Sequence, residues 1–487
     1  MGIVLKQSIQ NTVSTYIGFV IGALNTLFLY IHFLTDEYYG LVGFLLSTAT
    51  IMMPLMSFGM HNTLIKFYSS YTDKLQQTNF LTLCLYLPLL VIIPIGFMGY
   101  LGYDVIVRFL SKENPIIQDY VWSVYLIAIA MAYFEVFYAW VRVSMKSAFG
   151  NFMKEVFHRI LISFLLFAVY LEWLSASQFI WSLVVVYFLR MFVIKLYAFR
   201  LHTPKITFKK PQNFSAIIKY SILIIFAGSV SLILLDIDKV MIGSYIPIEN
   251  VAYYNVAVFI AMVIAVPSRS MAQIATPLTA QLINAKQWVQ LKDLYQKSSL
   301  TLLVISGWIF LLIVLNVKQM YLLIDPVYSV GLQVVFIISI AKLAENILGN
   351  NNAIIINSDY YRWMIALGIF LAVTTIVLNM LLIPKYGIYG AAIATTFSLI
   401  LYSALKISLV KIKFKMHPFT KGTYKTFLLI FVIYTTCFFW DFNMHPVVNI
   451  AIKSAVITVV YFSVILKWDL SIDVSNMIKN SYKRFFK

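Results

Sequence analysis

Ser299-Leu-Thr-Leu-Leu-Val-Ile-Ser-Gly-Trp-Ile-Phe-Leu-Leu-Ile-Val-Leu-Asn-Val317 runs for 19 residues without a charge. A helix needs roughly 20 mainly apolar residues to cross the hydrocarbon of a bilayer. The run also lacks the alternation of a barrel strand, so helix is the reading that satisfies its backbone in lipid. Outward from it, thirteen further stretches read the same way. Eight precede it, near Asn11–Phe33, Gly40–Met60, Asn79–Leu101, Tyr120–Val141, Val156–Leu174, Phe179–Tyr197, Ile217–Leu235 and Tyr253–Met271. Five follow, near Gly331–Ile356, Trp363–Ile383, Ile388–Val410, Tyr424–Trp440 and Val447–Leu466. The expected fold is an all-α integral membrane protein of about fourteen transmembrane helices.

Composition agrees. Of 487 residues, 61% are hydrophobic, 16% aromatic and 11% charged. Soluble domains carry about 25% charged residues, so there is too little polar material to coat water-exposed domains. This excludes a soluble enzyme, a secreted disulfide scaffold and a disordered regulator. Both cysteines, Cys84 and Cys437, fall inside apolar stretches, and no disulfide, metal or redox role is expected. Lys6 before an apolar run has the look of a signal peptide. That run is too long for one, and only Thr35–Tyr39 separates it from the next, so an uncleaved first helix is expected.

Lys and Arg concentrate in cytoplasmic loops. With both termini placed in the cytoplasm, 27 of the 37 basic residues fall on the inner side, Lys154, Arg159 and Lys406 among them. Only Arg108, Lys112, Lys318 and Lys385 fall outside, and six lie within spans. The net charge of +18 is then a matter of orientation and of contact with an anionic inner leaflet, not of nucleic-acid binding.

A weak repeat organises the spans. Asp36-Glu37-Tyr38-Tyr39 with Pro54, and Glu249 to Tyr254 with Pro267, recur at offsets of 215 and 213. Six spans per half give both halves the same orientation, a parallel repeat about the membrane normal. The expected division is a bundle over 1–200, a basic linker over 201–216, a second bundle over 217–411, and two further helices with a basic tail over 412–487.

Enzymatic signatures are missing. There is no Gly-x-x-x-x-Gly-Lys loop and no His-Glu-x-x-His, and the six histidines are scattered singly. Asp236-Ile237-Asp238 has a metal-binding spacing, yet it sits at the outer end of an apolar helix with no catalytic domain attached. No enzyme activity and no metal are expected.

Ionisable groups inside spans cost at least ~2.5–3.5 kcal/mol each at the bilayer centre and usually face an interior pathway. Arg190 lies near mid-membrane in the sixth span. Lys342 and Glu345 share one face of the tenth. Glu135 lies in the fourth, 210 residues before Glu345. Arg269 sits nearer an inner end, and Lys195 and Lys453 read as anchors that reach the headgroups. Asp236, Asp238 and Lys239 suggest an ion cluster at the outer end. A structural Arg190–Glu135 pair and a self-neutralising Lys342–Glu345 pair are the competing readings. Asn346, Asn350, Asn351 and Asn352 read as the wall of a wet cavity.

Four pieces in order resemble one family. These are Leu34-Thr-Asp-Glu-Tyr-Tyr-Gly40, Phe58-Gly59 leading to Ile65-Lys66-Phe67-Tyr68, Leu235 to Gly243 with Val251-Ala252-Tyr253-Tyr254, and Ile383-Pro384-Lys385-Tyr386-Gly387-Ile388-Tyr389-Gly390. With them the chain resembles the polysaccharide flippases, the O-antigen and capsule branch of the multidrug/oligosaccharidyl-lipid/polysaccharide (MOP) exporter superfamily. It departs at Ile324-Asp325-Pro326-Val327-Tyr328, where members often carry Phe-Gly.

The resemblance implies movement of a polyprenyl-pyrophosphate-linked oligosaccharide from the inner to the outer leaflet of the cytoplasmic membrane by alternating access. Arg190, Arg269 and Lys342 are the expected cavity cations for the pyrophosphate. Glu135 and Glu345, with Asp236 and Asp238, are the expected structural or ion-coupling carboxylates, for H+ or Na+, with no cofactor. Expected partners are the lipid-linked substrate, membrane lipid and other polysaccharide assembly proteins. The alternatives are a multidrug or cation exporter of the same superfamily and a non-transporting scaffold of cell-wall assembly.

Overall fold

The computed structural model describes the backbone of residues 2–204, 211, 213–441, 443–471 and 473–476. Within these, the side chains of 2–6, 8, 9 and 226–235 are left undescribed. Lys205, Lys209 and Lys210 of the expected linker, and Lys479, Lys483, Arg484 and Lys487 of the expected tail, lie outside the described residues. Among the described residues every regular element is helical, and ten helices are long and apolar enough to cross a membrane.

The chain packs as two compact units, Met1–Asn255 and Val256–Lys487. In the first, α1 (Gly2–Leu24) continues through a π-helical turn, Asn25–Leu29. Then come α2 (Asp36–Met56), α3 (Met60–Phe67), α4 (Lys74–Tyr86), α5 (Leu89–Leu101) and the short α6 (Tyr103–Leu110). Next are α7 (Val121–Val143) and α8 (Ser147–Phe152), which leads through a second π-helical turn, Met153–Phe157, into α9 (His158–Tyr170). The unit ends with α10 (Ala176–Leu201), α11 (Phe214–Tyr245) and the start of α12 (Glu249–Met262).

Local chemistry sets these boundaries. Thr35 accepts a hydrogen bond from the Tyr38 amide and so caps α2, with Asp36 and Glu37 in the first turn where the helix dipole favours anions. Ser175 and Gln178 bond reciprocally to each other's backbone amides at the start of α10, a capping box that fixes where that helix begins. The helices pack α7 on α10 and α2 on both α7 and α11. Their core holds Met60, Phe80, Phe134 and Trp140, all fully buried.

The second unit continues with α13 (Val266–Asn284) and α14 (Trp288–Leu323), then α15 (Leu332–Asn346) and α16 (Asn351–Ile356). After α17 (Arg362–Phe414), α18 (Lys421–Cys437) and α19 (Pro446–Lys467) close it. The stretch Ser299–Val317 lies inside α14, which packs against α13, α15, α18 and α19 and is the spine of this unit.

The fourteen apolar stretches are largely helical, although turns interrupt some of them, such as Gly331–Ile356 between α15 and α16. Two of them share the 53-residue α17, which breaks between them at Gly387, with φ 56° and ψ −135°. Only glycine adopts that conformation without a Cβ clash.

Candidate functional site

Charged side chains meet inside the first unit where α7, α10 and the turn between α8 and α9 converge. Glu135 on α7 pairs with Lys154 Nζ at 2.7 Å, and Lys154 is carried by the π-helical turn Met153–Phe157. Such turns insert an extra residue and recur at functional sites. Glu155 in the same turn lies 3.7 Å from Arg159, whose guanidinium also donates to the Gly18 carbonyl of α1. A Cβ on Gly18 would collide with the Glu155 carbonyl, so glycine lets α1 approach this turn. Asn25, at the start of the other π-helical turn, donates to the Arg159 carbonyl at 3.0 Å and accepts from Ser163 at 2.7 Å.

Arg190 on α10 is 7% exposed. Its guanidinium carbon lies 4.0 Å from the Phe134 ring centroid and 5.0 Å from that of Tyr187. The expected structural partner, Glu135, is engaged by Lys154, and Arg190 forms no ion pair among the described residues. Its Nε is buried without a hydrogen bond. Ring faces attract a desolvated guanidinium by about 2 kcal/mol or more, and they leave its planar donor fork unused. His61 lies close enough to act electrostatically on Glu135, and its ring is held by Ser57 and Asn62 at 3.1 Å each.

The second unit carries a counterpart. Lys342 and Glu345 on α15 pair at 3.0 Å. Lys406 on α17 is 2% exposed, donates to the Asn352 side-chain oxygen at 3.0 Å and sits 4.0 Å over the Tyr402 ring. Glu345 feels both lysines. The charge tally puts Lys406 and Lys154 in inner loops; the structure folds Lys406 into the bundle and ties Lys154 to the half-buried carboxylate of Glu135. Arg269, by contrast, is exposed and forms no ion pair or hydrogen bond among the described residues.

The asparagine run does not form one wet wall. Asn346 donates to the Ile264 carbonyl and to Ser306, both at 2.7 Å. Asn350 donates to Thr279 at 2.7 Å, and Asn351 to Tyr295 at 2.6 Å. These three are buried ties between helices, as polar groups between membrane helices commonly are. Only Asn352 is exposed.

A third set lies where α2 meets α11. Asp236 accepts from Lys239 and from Ser47, both at 2.8 Å, while Asp238 accepts from Tyr254. Tyr253 donates to Asp36 at 3.0 Å. Lys453, expected to reach the headgroups, is instead buried and meets Asp441 at 3.5 Å, and Lys195 lies over the Phe192 and Phe199 rings. No group of three potential metal ligands occurs among the described residues.

Comparison with known proteins gives three results. No curated protein sequence matches the chain. Among solved structures, the lipid II flippase MurJ in an inward closed conformation is similar over 95% of this chain and 99% of its own, with a TM-score of 0.71 at 14% identity. An inward-facing multidrug resistance MATE family transporter of the MOP superfamily covers 83% of this chain and 98% of its own, with a TM-score of 0.64 at 13% identity. A MOP superfamily transporter from Pyrococcus furiosus gives 0.59 at 14% identity, over 84% of this chain and 96% of its own. These likenesses establish the fold. The model of the family described as "Polysaccharide biosynthesis protein" matches residues 4–283. The chain is therefore a multi-pass membrane protein with the MOP-superfamily fold, and it belongs to the polysaccharide biosynthesis protein family.

Proposed function

We propose that the protein is a flippase that carries a polyprenyl-pyrophosphate-linked oligosaccharide from the inner to the outer leaflet of the cytoplasmic membrane, for surface polysaccharide synthesis. It crosses the membrane fourteen times with both termini in the cytoplasm, works without a cofactor and is not an enzyme. The observation that carries this reading is Arg190. It is a permanent cation deep in the helices, braced by two rings, with donors that no carboxylate among the described residues occupies. A pyrophosphate offers paired oxygens that match a guanidinium fork. Arg159 lies close enough to act electrostatically on it, and Lys342 and Arg269 are the candidate cations of the second unit.

Glu135 and Glu345 are the candidates for H+ or Na+ coupling, since each is a carboxylate set among membrane helices, where ionisable groups mark ion pathways; the lysine paired to each would have to move away for a coupling ion to bind. Asp236 and Asp238 hold helices together near the outer end. A cation exporter would need a binding region in which acids exceed bases. The buried set here has the opposite balance, which favours an anionic substrate over the multidrug reading.

The deciding experiment is deletion followed by leaflet-resolved analysis of lipid-linked saccharides. The saccharide should accumulate on the cytoplasmic face and clear on complementation with the wild-type chain. Normal leaflet distribution in the deletion strain would rule the proposal out. Orientation has its own check. Cysteines at Thr203 and Thr420 should be shielded from an impermeant outside label in intact cells, whereas one at Ser329 should react.

A further inference from the structure

At one end of the second unit, α14, α15, α18 and α19 surround a cavity of about 210 Å³. Its polar lining is Lys318, Lys453, Asp441 and Gln333, and its aromatic lining includes Phe336 and Tyr434. Lys453 is 1% exposed, and a buried charge is costly unless it is paired and hydrogen-bonded. It meets Asp441 only at 3.5 Å, and Gln319 reaches the same carboxylate oxygen at the same distance. Lys318 is exposed and has no carboxylate partner among the described residues; its amine lies 5.5 Å from the Phe438 ring centroid. Two lysines against one carboxylate leave the cavity one positive charge in excess.

The surroundings indicate what neutralises it. Down α18 from the cavity, Phe431, Leu428 and Tyr424 are each more than half exposed, an apolar strip suited to lipid. A cationic, hydrogen-bonding cavity thus shares α18 with an exposed apolar strip that begins one turn before its lining residue Tyr434. A ligand that fits both parts has a singly charged phosphodiester head and hydrocarbon tails.

We propose that the cavity lined by Lys318, Lys453, Asp441 and Gln333 is a binding site for an anionic glycerophospholipid of the outer leaflet, seating the closing helix pair α18 and α19 against α14 and α15. The site needs the membrane reading and the orientation of this end, but not the flippase reading, so it stands or falls apart from transport.

The test uses the full chain with Cys84 and Cys437 replaced by serine and a fluorophore on Leu322→Cys, an exposed position one turn along α14 from Lys318 and outside the cavity lining. It is reconstituted in phosphatidylcholine vesicles containing a trace of headgroup-spin-labelled phosphatidylglycerol or phosphatidylcholine. The label reports local contact only, so basic loops elsewhere do not contribute. Phosphatidylglycerol should quench at about fivefold lower mole fraction than phosphatidylcholine, the preference that one lysine near a membrane surface provides. Lys318→Gln, at an exposed position that does not threaten folding, should erase most of that preference, and Asp441→Asn should increase it. Equal quenching by the two lipids in the wild type would overturn the site, as would a preference unchanged by both substitutions. Full displacement of the lipid by millimolar inorganic phosphate would also overturn it, because the ligand would then be a free anion.

Discussion

Glu135 in the first unit and Glu345 in the second are 210 residues apart, and Arg190 and Lys406 are 216 apart. Each region thus has a carboxylate, a lysine bound to it, and a buried cation 4.0 Å over a ring. They differ in how the charges are closed. In the second unit the lysine comes from the same helix, three residues before its glutamate, and Lys406 completes itself on Asn352. In the first the lysine comes from a π-helical turn of another helix, and Arg190 keeps a buried, unbonded Nε. The comparison separates a charge set that satisfies itself from one with donors to spare. Similar composition therefore does not imply similar work.

The largest expected effect tests that asymmetry directly. Arg190→Ala should lower export about a hundredfold, the loss of a charge-assisted contact of ~3 kcal/mol, while membrane abundance stays near wild type. Arg190→Lys should retain part of the activity, since the charge persists without the bidentate fork. Adding Glu135→Ala to Arg190→Ala should restore nothing. Full transport in that double mutant would make Arg190 a structural counter-ion after all.

Next in size is Lys154→Met. Breaking a fully buried pair costs about 3–5 kcal/mol and an exposed one under about 1 kcal/mol; with Lys154 39% and Glu135 16% exposed, this one falls between. Abundance and thermal stability in detergent should both fall, and Glu135→Gln in the same chain should recover most of the loss. If stability is unchanged, the pair does not hold α7 to the turn.

A smaller effect is expected at Lys406. Lys406→Met should leave export within about twofold of wild type, because Lys342 still neutralises Glu345 and methionine fills a similar volume. A loss as deep as that of Arg190→Ala would erase the distinction between the two regions. Smallest should be Asn25→Ala and Asn346→Ala, about 0.6–1.7 kcal/mol each by thermal melting, the range for a polar tie between membrane helices. Loss of export without loss of stability in either would show that these amides do more than join helices.

Much of this architecture was legible in the sequence, because an apolar run of crossing length has few structures open to it. Ser299–Val317 reads as helix and is helix, and the Ile383-to-Gly390 turn marks where α17 breaks. The site was legible only in part. Arg190 was visible from depth alone, but its partners were not, since ring contacts and a cross-helix lysine leave no spacing in one span. Lys154 was hidden because nothing in Met153-Lys-Glu-Val-Phe157 announces a π-helical turn. Lys406 lies four residues from the end of its apolar stretch, where a lysine ordinarily reaches outward to water; here its flexible stem turns inward. The asparagine run misled for the opposite reason, since amides that face neighbouring helices and amides that face water are written with the same letters.

Gly387 has a consequence for counting. An unbroken helix of 53 residues would be about 80 Å long, against a hydrocarbon layer of about 30 Å. The left-handed residue at 387 turns that single rod into an out-and-back excursion. In the fourteen-crossing scheme it therefore sets the parity of every crossing downstream. A side chain at this position that favoured the straight rod would exchange inside for outside over the last hundred residues. The inner and outer address of Lys421, Asp441 and Lys467 would then be decided by whether residue 387 carries a methyl group or a hydrogen.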